Sequence, residues 1–415
     1  MSAHRAKRRK CSGSVYLHVL ASSVLVTVIG LAALAAVRIQ TRSALRAQDC
    51  AEARNCAVSA VELGLLFVTQ DPNWRDNWTN GFWLSDKHLG DATFTLEGID
   101  PQDGDLTDSE YQPLILTGTG TKGIARHKTQ VTLVAVIKPL EALNSCLHAA
   151  GTVTVVSGKS IAVSGAALST NTTLDNAGTI TGDAEAGTMA QTGTITGTLT
   201  VPADPKQMPE ATVVSDYVGR ATVIPYTGTI DKQVLSPGSN PWGTPDPNGM
   251  YFLDTHGQAV LIRNSRIHGT LIVDTGGNTL TLDNAVLLHP YRSDCPVLIV
   301  NGNAELKFRS GTLSLSESAQ ATNFNPFGAS YEDVWDDDML DEYPNEIRGL
   351  IHVTGALDLQ DTARVVGVII CQGAVTCEGF NSITHDPDLY ATPPEGYTCV
   401  ERMTVSPGSW KQVVD

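Results

Sequence analysis

The sequence predicts an α+β chain that becomes all-β: a long N-terminal transmembrane and amphipathic helix, a small antiparallel sheet, and a C-terminal right-handed parallel β-helix-like solenoid. Three observations carry this reading. An uncharged run from Val15 to Val37 continues into an Ala-rich stretch that meets no proline before Pro72. Residues 92–139 alternate apolar and polar side chains in strand-length pieces. From Gly151 onward the texture changes to short Val/Ile/Leu/Thr pieces separated by Gly, Asn and Asp.

Arg5, Lys7, Arg8, Arg9 and Lys10 form a positive cluster ahead of the uncharged run. At about 1.5 Å per residue, the run from residue 15 to 37 crosses a hydrocarbon core of about 30 Å. The positive-inside rule puts residues 1–13 in the cytoplasm and the rest outside. The expectation is a single-pass inner-membrane protein whose body is periplasmic or at the cell surface. A cleaved signal peptide is a rival, because Ala33-Leu34-Ala35 offers a site; a plain uncleaved anchor is another. Against the first, helical character persists past Arg38: Ala47, Ala51, Val58, Val61, Leu65 and Val68 recur at helical spacing, with Arg46, Asp49, Glu52 and Glu62 on other faces. The helix is expected over residues 14–70.

A basic leader, a hydrophobic helix and the Ala-rich continuation "AQDCAEARNCAVSAVELGL" together resemble the N-terminus of type IV pilins and type II secretion pseudopilins, most closely that of PilX-type minor pilins. The resemblance implies cleavage between Gly13 and Ser14. It puts His18 at the fifth mature position, where major pilins carry Glu, which implies a minor subunit rather than the bulk polymer. It also implies other pilin-like subunits as partners through the helix, with the membrane as the second partner.

Residues 71–145 read as a small β head. "DPNWRDNWTNGFWLSD" sets three Trp and a Phe close together, either as an aromatic patch or, as favoured here, a hydrophobic plug where the helix meets the sheet. "DATFTLEGID", "PLILTGTGTKG" and "ARHKTQVTLVAVIKP" are expected as strands. Between them, "DPQDGDLTD" crowds Asp100, Asp103, Asp105 and Asp108 around Gly104. Hard oxygen donors on a tight turn suit calcium, although the spacing misses the EF-hand pattern; a solvated acidic turn is the alternative. No other cofactor is expected.

Residues 146–400 carry the solenoid expectation. "GTITGD" at 178–183 returns as "GTITGT" at 193–198, and pieces such as "TLIVDTGGN", "CPVLIVNGNAELKF" and "GTLSLSESAQ" follow Pro-rich connectors. Strands of three to five residues and Asn/Gly corners favour stacked coils over a sandwich. An acidic, aromatic insertion at 324–348 interrupts the texture; Trp335, Asp336, Asp337, Asp338 and Asp341 make it a candidate platform for surface glycans or calcium, against a plain solvated loop. Residues 401–415 are expected as a tail.

Eight cysteines occur without a CxxC pair. Cys371 and Cys377 in "CQGAVTC" are the expected local disulfide if the chain turns at Gln372-Gly373; small buried hydrophobes are the alternative. The formal net charge is −16, with the basic clusters before residue 55. A phosphate-binding surface needs a cationic patch on the folded body, so nucleic acid is not an expected partner.

Catalytic signatures are missing: no GxSxG, P-loop, HExxH or credible GxGxxG after a strand. Carboxylates within strand texture (Asp274, Asp283, Glu305, Asp358, Asp361) sit at turn-like positions, and Arg263, Arg266 and Arg364 are the candidate bases of a lyase. His256, His268 and His289 are expected at the surface. The sequence therefore points to a non-catalytic, membrane-anchored structural subunit, a minor pilin- or pseudopilin-like component or tip adhesin. A β-helix lyase or glycosidase on a membrane stalk is the alternative, with a non-pilus cell-envelope structural protein as a third.

Overall fold

The structure is a computed structural model that describes residues 14–309, 311 and 314–413. The basic leader and Gly13 lie outside the described residues. The chain divides into two compact units: Met1–Ile137 with Val400–Asp415, and Lys138–Cys399.

The first unit begins with helix α1 (Ser14–Gln70), 57 residues and about 85 Å long. From Val15 to Gln48 every side chain is exposed; beyond that, Ala53, Cys56, Ala57, Ala60, Val61 and Val68 are buried. This face is rotated from the expected stripe, for Ala47 and Ala51 are exposed. The reason lies in the partner. Strands β1 (Gly81–Leu89), β2 (Ala92–Ile99), β3 (Leu114–Lys122) and β4 (Ala125–Pro139) form an antiparallel sheet in sequence order. On β3, a Cβ at Gly118 or Gly120 would collide with the carbonyl oxygens of Ala57 and Ala53. Glycine on the strand and alanine on the helix thus let the two backbones approach, and that close approach selects the buried face.

The Trp-rich segment is the expected plug: Phe67 stacks on Trp78 with centroids 5.0 Å apart, and Trp78 stacks on Trp83 at 5.2 Å. The expected tail is corrected. Thr398–Val405 and Lys411–Val413 are strands that join β4, the latter with Lys411 opposite Gln130.

The second unit is mostly parallel β, closed into a barrel-like sheet. Its apolar columns follow directly from register. Ile224, Leu253, Val273, Val300, Val353, Cys371 and Ala149 pair in succession across seven strands, and Ile262, Leu282, Leu306, Leu359, Cys377 and Val155 form a second column. All of these side chains are buried. The expected disulfide is therefore corrected: Cys371 and Cys377 are free thiols that hold places in two different aliphatic columns. Burial pushes both thiols up to about 12.

A winding that followed the sequence would pair each segment with the next. That expectation fails at one place. Residues 147–164 do pair with 168–181, but their other edge pairs with 369–384. The first strands of the unit sit beside its last. The expected insertion also starts earlier than residue 324, because Ser314–Ser316 leaves the parallel ladders to pair antiparallel with Glu342–Pro344.

Candidate functional site

Three places gather the chemistry that the sequence singled out. The first is the turn between β2 and β3. Oxygen atoms of Asp100, Asp103 and Asp108 lie within 4.8 Å of one another. Asp100 is only 3% exposed. Its backbone N–H donates to Asn80 Oδ1 at 2.7 Å, and its Oδ1 accepts from Gln102 N at 2.7 Å. Its Oδ2 is buried without a hydrogen-bond partner, as is Gln112 Oε1. Gln112 Nε2 donates to Asp108 Oδ2 at 2.9 Å. The backbone N–H of Asp105 donates to Asp103 at 2.9 Å and holds that carboxyl below the usual range. The fourth candidate, Asp105, stays outside the group; it accepts from the backbone and hydroxyl of Thr107. Beside them, Arg75 donates to the carbonyls of Leu106 at 3.2 Å, Glu110 at 3.4 Å and Gln112 at 2.5 Å.

The second place is the acidic excursion of the barrel-like unit. It is a built structure rather than a slack loop. Glu317 is fully buried and accepts from Phe324 N, Asp341 N and the Tyr343 hydroxyl at 2.6, 3.1 and 3.1 Å. Arg266, also fully buried, donates to the carbonyls of Phe324, Ala329 and Ser330 at 2.7, 2.6 and 2.6 Å. Burial lowers its guanidinium to about 10. Arg266 is thus a clamp on the excursion, and that role removes it from the candidate lyase bases. Its Nε donates to His289 Nε2 at 3.2 Å, and His289 stacks on His268 at 4.1 Å. Both rings are half-buried, which corrects the surface expectation; His256 is exposed as expected.

At the outer rim, two of the candidate ligand residues meet, for Asp336 and Asp341 both accept from Asn325 Nδ2, at 3.4 and 3.1 Å. Asp336 and Asp338 accept from the backbone N–H groups of Asp338 and Leu340 at 3.2 and 2.9 Å. Asp341 accepts from Asn325, and Asp337 is exposed. Among the described residues, these carboxylates make no group of the kind formed by Asp100, Asp103 and Asp108. Trp335 is 50% exposed and meets Phe327, 78% exposed, edge to face at 5.3 Å.

The third place is a groove between a short helix (Thr212–Val218) and the sheet, lined by Val214, Phe252, Asp274, Asn301, Thr354 and Gln372 among others. It holds one carboxylate, Asp274, which is occupied by Asn301 Nδ2 at 3.1 Å and Gly276 N at 2.9 Å. Glu305, another candidate, accepts from Thr281 at 2.9 Å. Sequence reasoning missed Glu317 and the clamping role of Arg266, since neither stands in a motif and their polar neighbours, Ser316 and Ser318, Asn264 and Ser265, do not set them apart.

No protein-family model and no curated protein matches the sequence. Among solved structures, the chain is similar to the competence-associated pilin ComZ from Thermus thermophilus, at 13% identity, 88% coverage of this chain, 98% of that chain and a TM-score of 0.27. It is similar to an ice-binding protein from the ascomycete Antarctomyces psychrotrophicus, at 13% identity, 60% and 99% coverage and a TM-score of 0.27. It is also similar to the DUF3494 domain of Shewanella frigidimarina ice-binding protein 1, at 12% identity, 60% and 98% coverage and a TM-score of 0.28. These are resemblances and assign no activity.

Proposed function

We propose that this chain is a membrane-anchored, extracytoplasmic structural subunit of the pilin-like class, a minor component or tip subunit that carries a large parallel-β module. The observation that carries this reading is the division of α1. Its second half is consumed by the sheet of its own unit, while its first half leaves an apolar cylinder from Val15 to Val37 exposed on every side. Such a surface needs an apolar surrounding, which is lipid before assembly and neighbouring helices after it. His18 in place of the major-subunit Glu favours a minor, PilX-type role. In the second unit, stacked parallel ladders over Val/Ile/Leu columns support reading the closed sheet as β-helix coils joined out of sequence order. The rim of Trp335 and Phe327 gives that module an exposed pair of perpendicular aromatic rings, either of which offers a face suited to a surface glycan.

A non-catalytic role is supported by the groove, where the single carboxylate is already engaged; glycoside hydrolysis needs two, roughly 5–10 Å apart. The deciding experiment is N-terminal sequencing of native protein. Ser14 is the expected first residue. Met1 would leave a simple anchor, and a start near Val37 would make the apolar run a discarded signal.

A further inference from the structure

The β2–β3 turn has an unbalanced charge. Three carboxylates converge, and the neighbouring cation, Arg75, brings one positive charge whose donors are spent on carbonyls. One member, Asp100, is almost wholly buried, and its Oδ2 has no partner. A buried carboxylate oxygen without a donor is costly and is normally matched by a hydrogen bond or a metal. Gln112 supplies a second buried oxygen in the same condition. The spacing has a simple meaning: two oxygens each about 2.4 Å from one calcium ion can be at most about 4.8 Å apart. The three carboxylates meet that limit.

We propose that Asp100, Asp103 and Asp108 bind one calcium ion, which fastens the 100–112 turn to the head. The donor set is oxygen only, without His or Cys, as a hard cation requires. Calcium tolerates the irregular geometry and completes its six to eight ligands with water, whereas magnesium demands a near-octahedral cage. Two positive charges on the ion offset carboxylate charge that Arg75, which also faces Glu110, does not. The affinity expected of such a surface turn is that of extracellular calcium modules, a Kd of about 10⁻⁴–10⁻³ M.

The test uses the full chain in detergent micelles, stripped with chelator and melted while the fluorescence of its six tryptophans is followed; Trp74, Trp78, Trp83 and Trp410 report the head, and Trp242 and Trp335 the other unit. Added calcium is expected to raise the head's melting temperature saturably, by about 5 °C, with one ion per chain by calorimetric titration. Asp103 is exposed, so Asp103→Asn keeps the fold and is expected to weaken half-saturation at least tenfold. Asp100→Asn is expected to abolish the shift, and Asp337→Asn, on the distant excursion, to leave it unchanged. A wild-type melt indifferent to calcium would show that Arg75 alone suffices and overturn the proposal. Equal shifts in wild type and Asp103→Asn would also overturn it, and an equal response to magnesium would overturn the assignment to calcium.

Discussion

Arg266 shows how a single buried side chain can hold a whole excursion. Its guanidinium answers three carbonyls that would otherwise be buried without donors, and its Cζ lies over the rings of Tyr331 and Tyr343, 5.1 and 5.9 Å from their centroids. Arg266→Met fills the volume but abandons those carbonyls. The expected cost is about 3–5 kcal/mol in urea unfolding, with new protease cleavage between residues 320 and 345. The histidines give a second prediction at this scale. Burial lowers His148, His268 and His352 from the usual 6.5 to about 4, and His289 to about 2. As pH falls, the unfolded chain takes up protons first, so stability is full above about 6.5 and drains as pH drops toward the folded values. Between pH 7 and 5, His352 alone should account for about 2 kcal/mol. Urea titrations at the two pH values, with and without His352→Gln, measure that share; an unchanged difference in the variant would sink the assignment.

At the scale of elements, the governing contact is α1 on β3. Gly120→Val drives a branched side chain into the helix backbone and is expected to destabilise the head by at least about 2 kcal/mol, read as an earlier loss of tryptophan fluorescence on heating. Gly90→Ala is the control; its turn has open space, so only its positive φ is strained. The same contact marks a limit of sequence reasoning. The helix and its length were legible from the uncharged run and the missing prolines. The buried face was not, because alanine and glycine carry almost no hydropathy signal and only their fit to a particular strand identifies them. The acidic turn was legible in part: clustering named the four aspartates, but the exclusion of Asp105 depends on which of them the turn's own backbone consumes. Cys371 and Cys377 misled for a related reason. Six positions apart, they look like a pair until register assigns them to separate columns.

At the scale of the molecule, the second unit interrupts the first. Its chain begins and finishes together, with Leu140 N donating to Tyr397 O at 3.1 Å. Replacing residues 141–396 with a short Gly/Ser loop is therefore expected to leave a head that keeps its tryptophan stacking and melts cooperatively. Truncation after residue 361 is expected to do something different from shortening a repeat array. It strips 147–164 of their neighbours at 369–384, so the parallel unit should lose cooperative unfolding altogether, by circular dichroism and denaturant titration. The order of ladders escaped the sequence because the Val/Ile/Leu pieces are interchangeable in composition, and nothing local says which piece lies beside which.

That order sets a clock for folding. Cys146 and Ile383 touch although 237 positions apart in the chain, and β4 receives its last partners, Thr398–Val405 and Lys411–Val413, only after all of Lys138–Cys399 has been made. At synthesis rates of about 5–20 residues per second, β4 waits on the order of tens of seconds with an open edge. For that interval every newly made copy presents the same bare strand to its neighbours, a ready template for mispairing. The density of nascent chains, as much as their final stability, then governs the yield of folded protein.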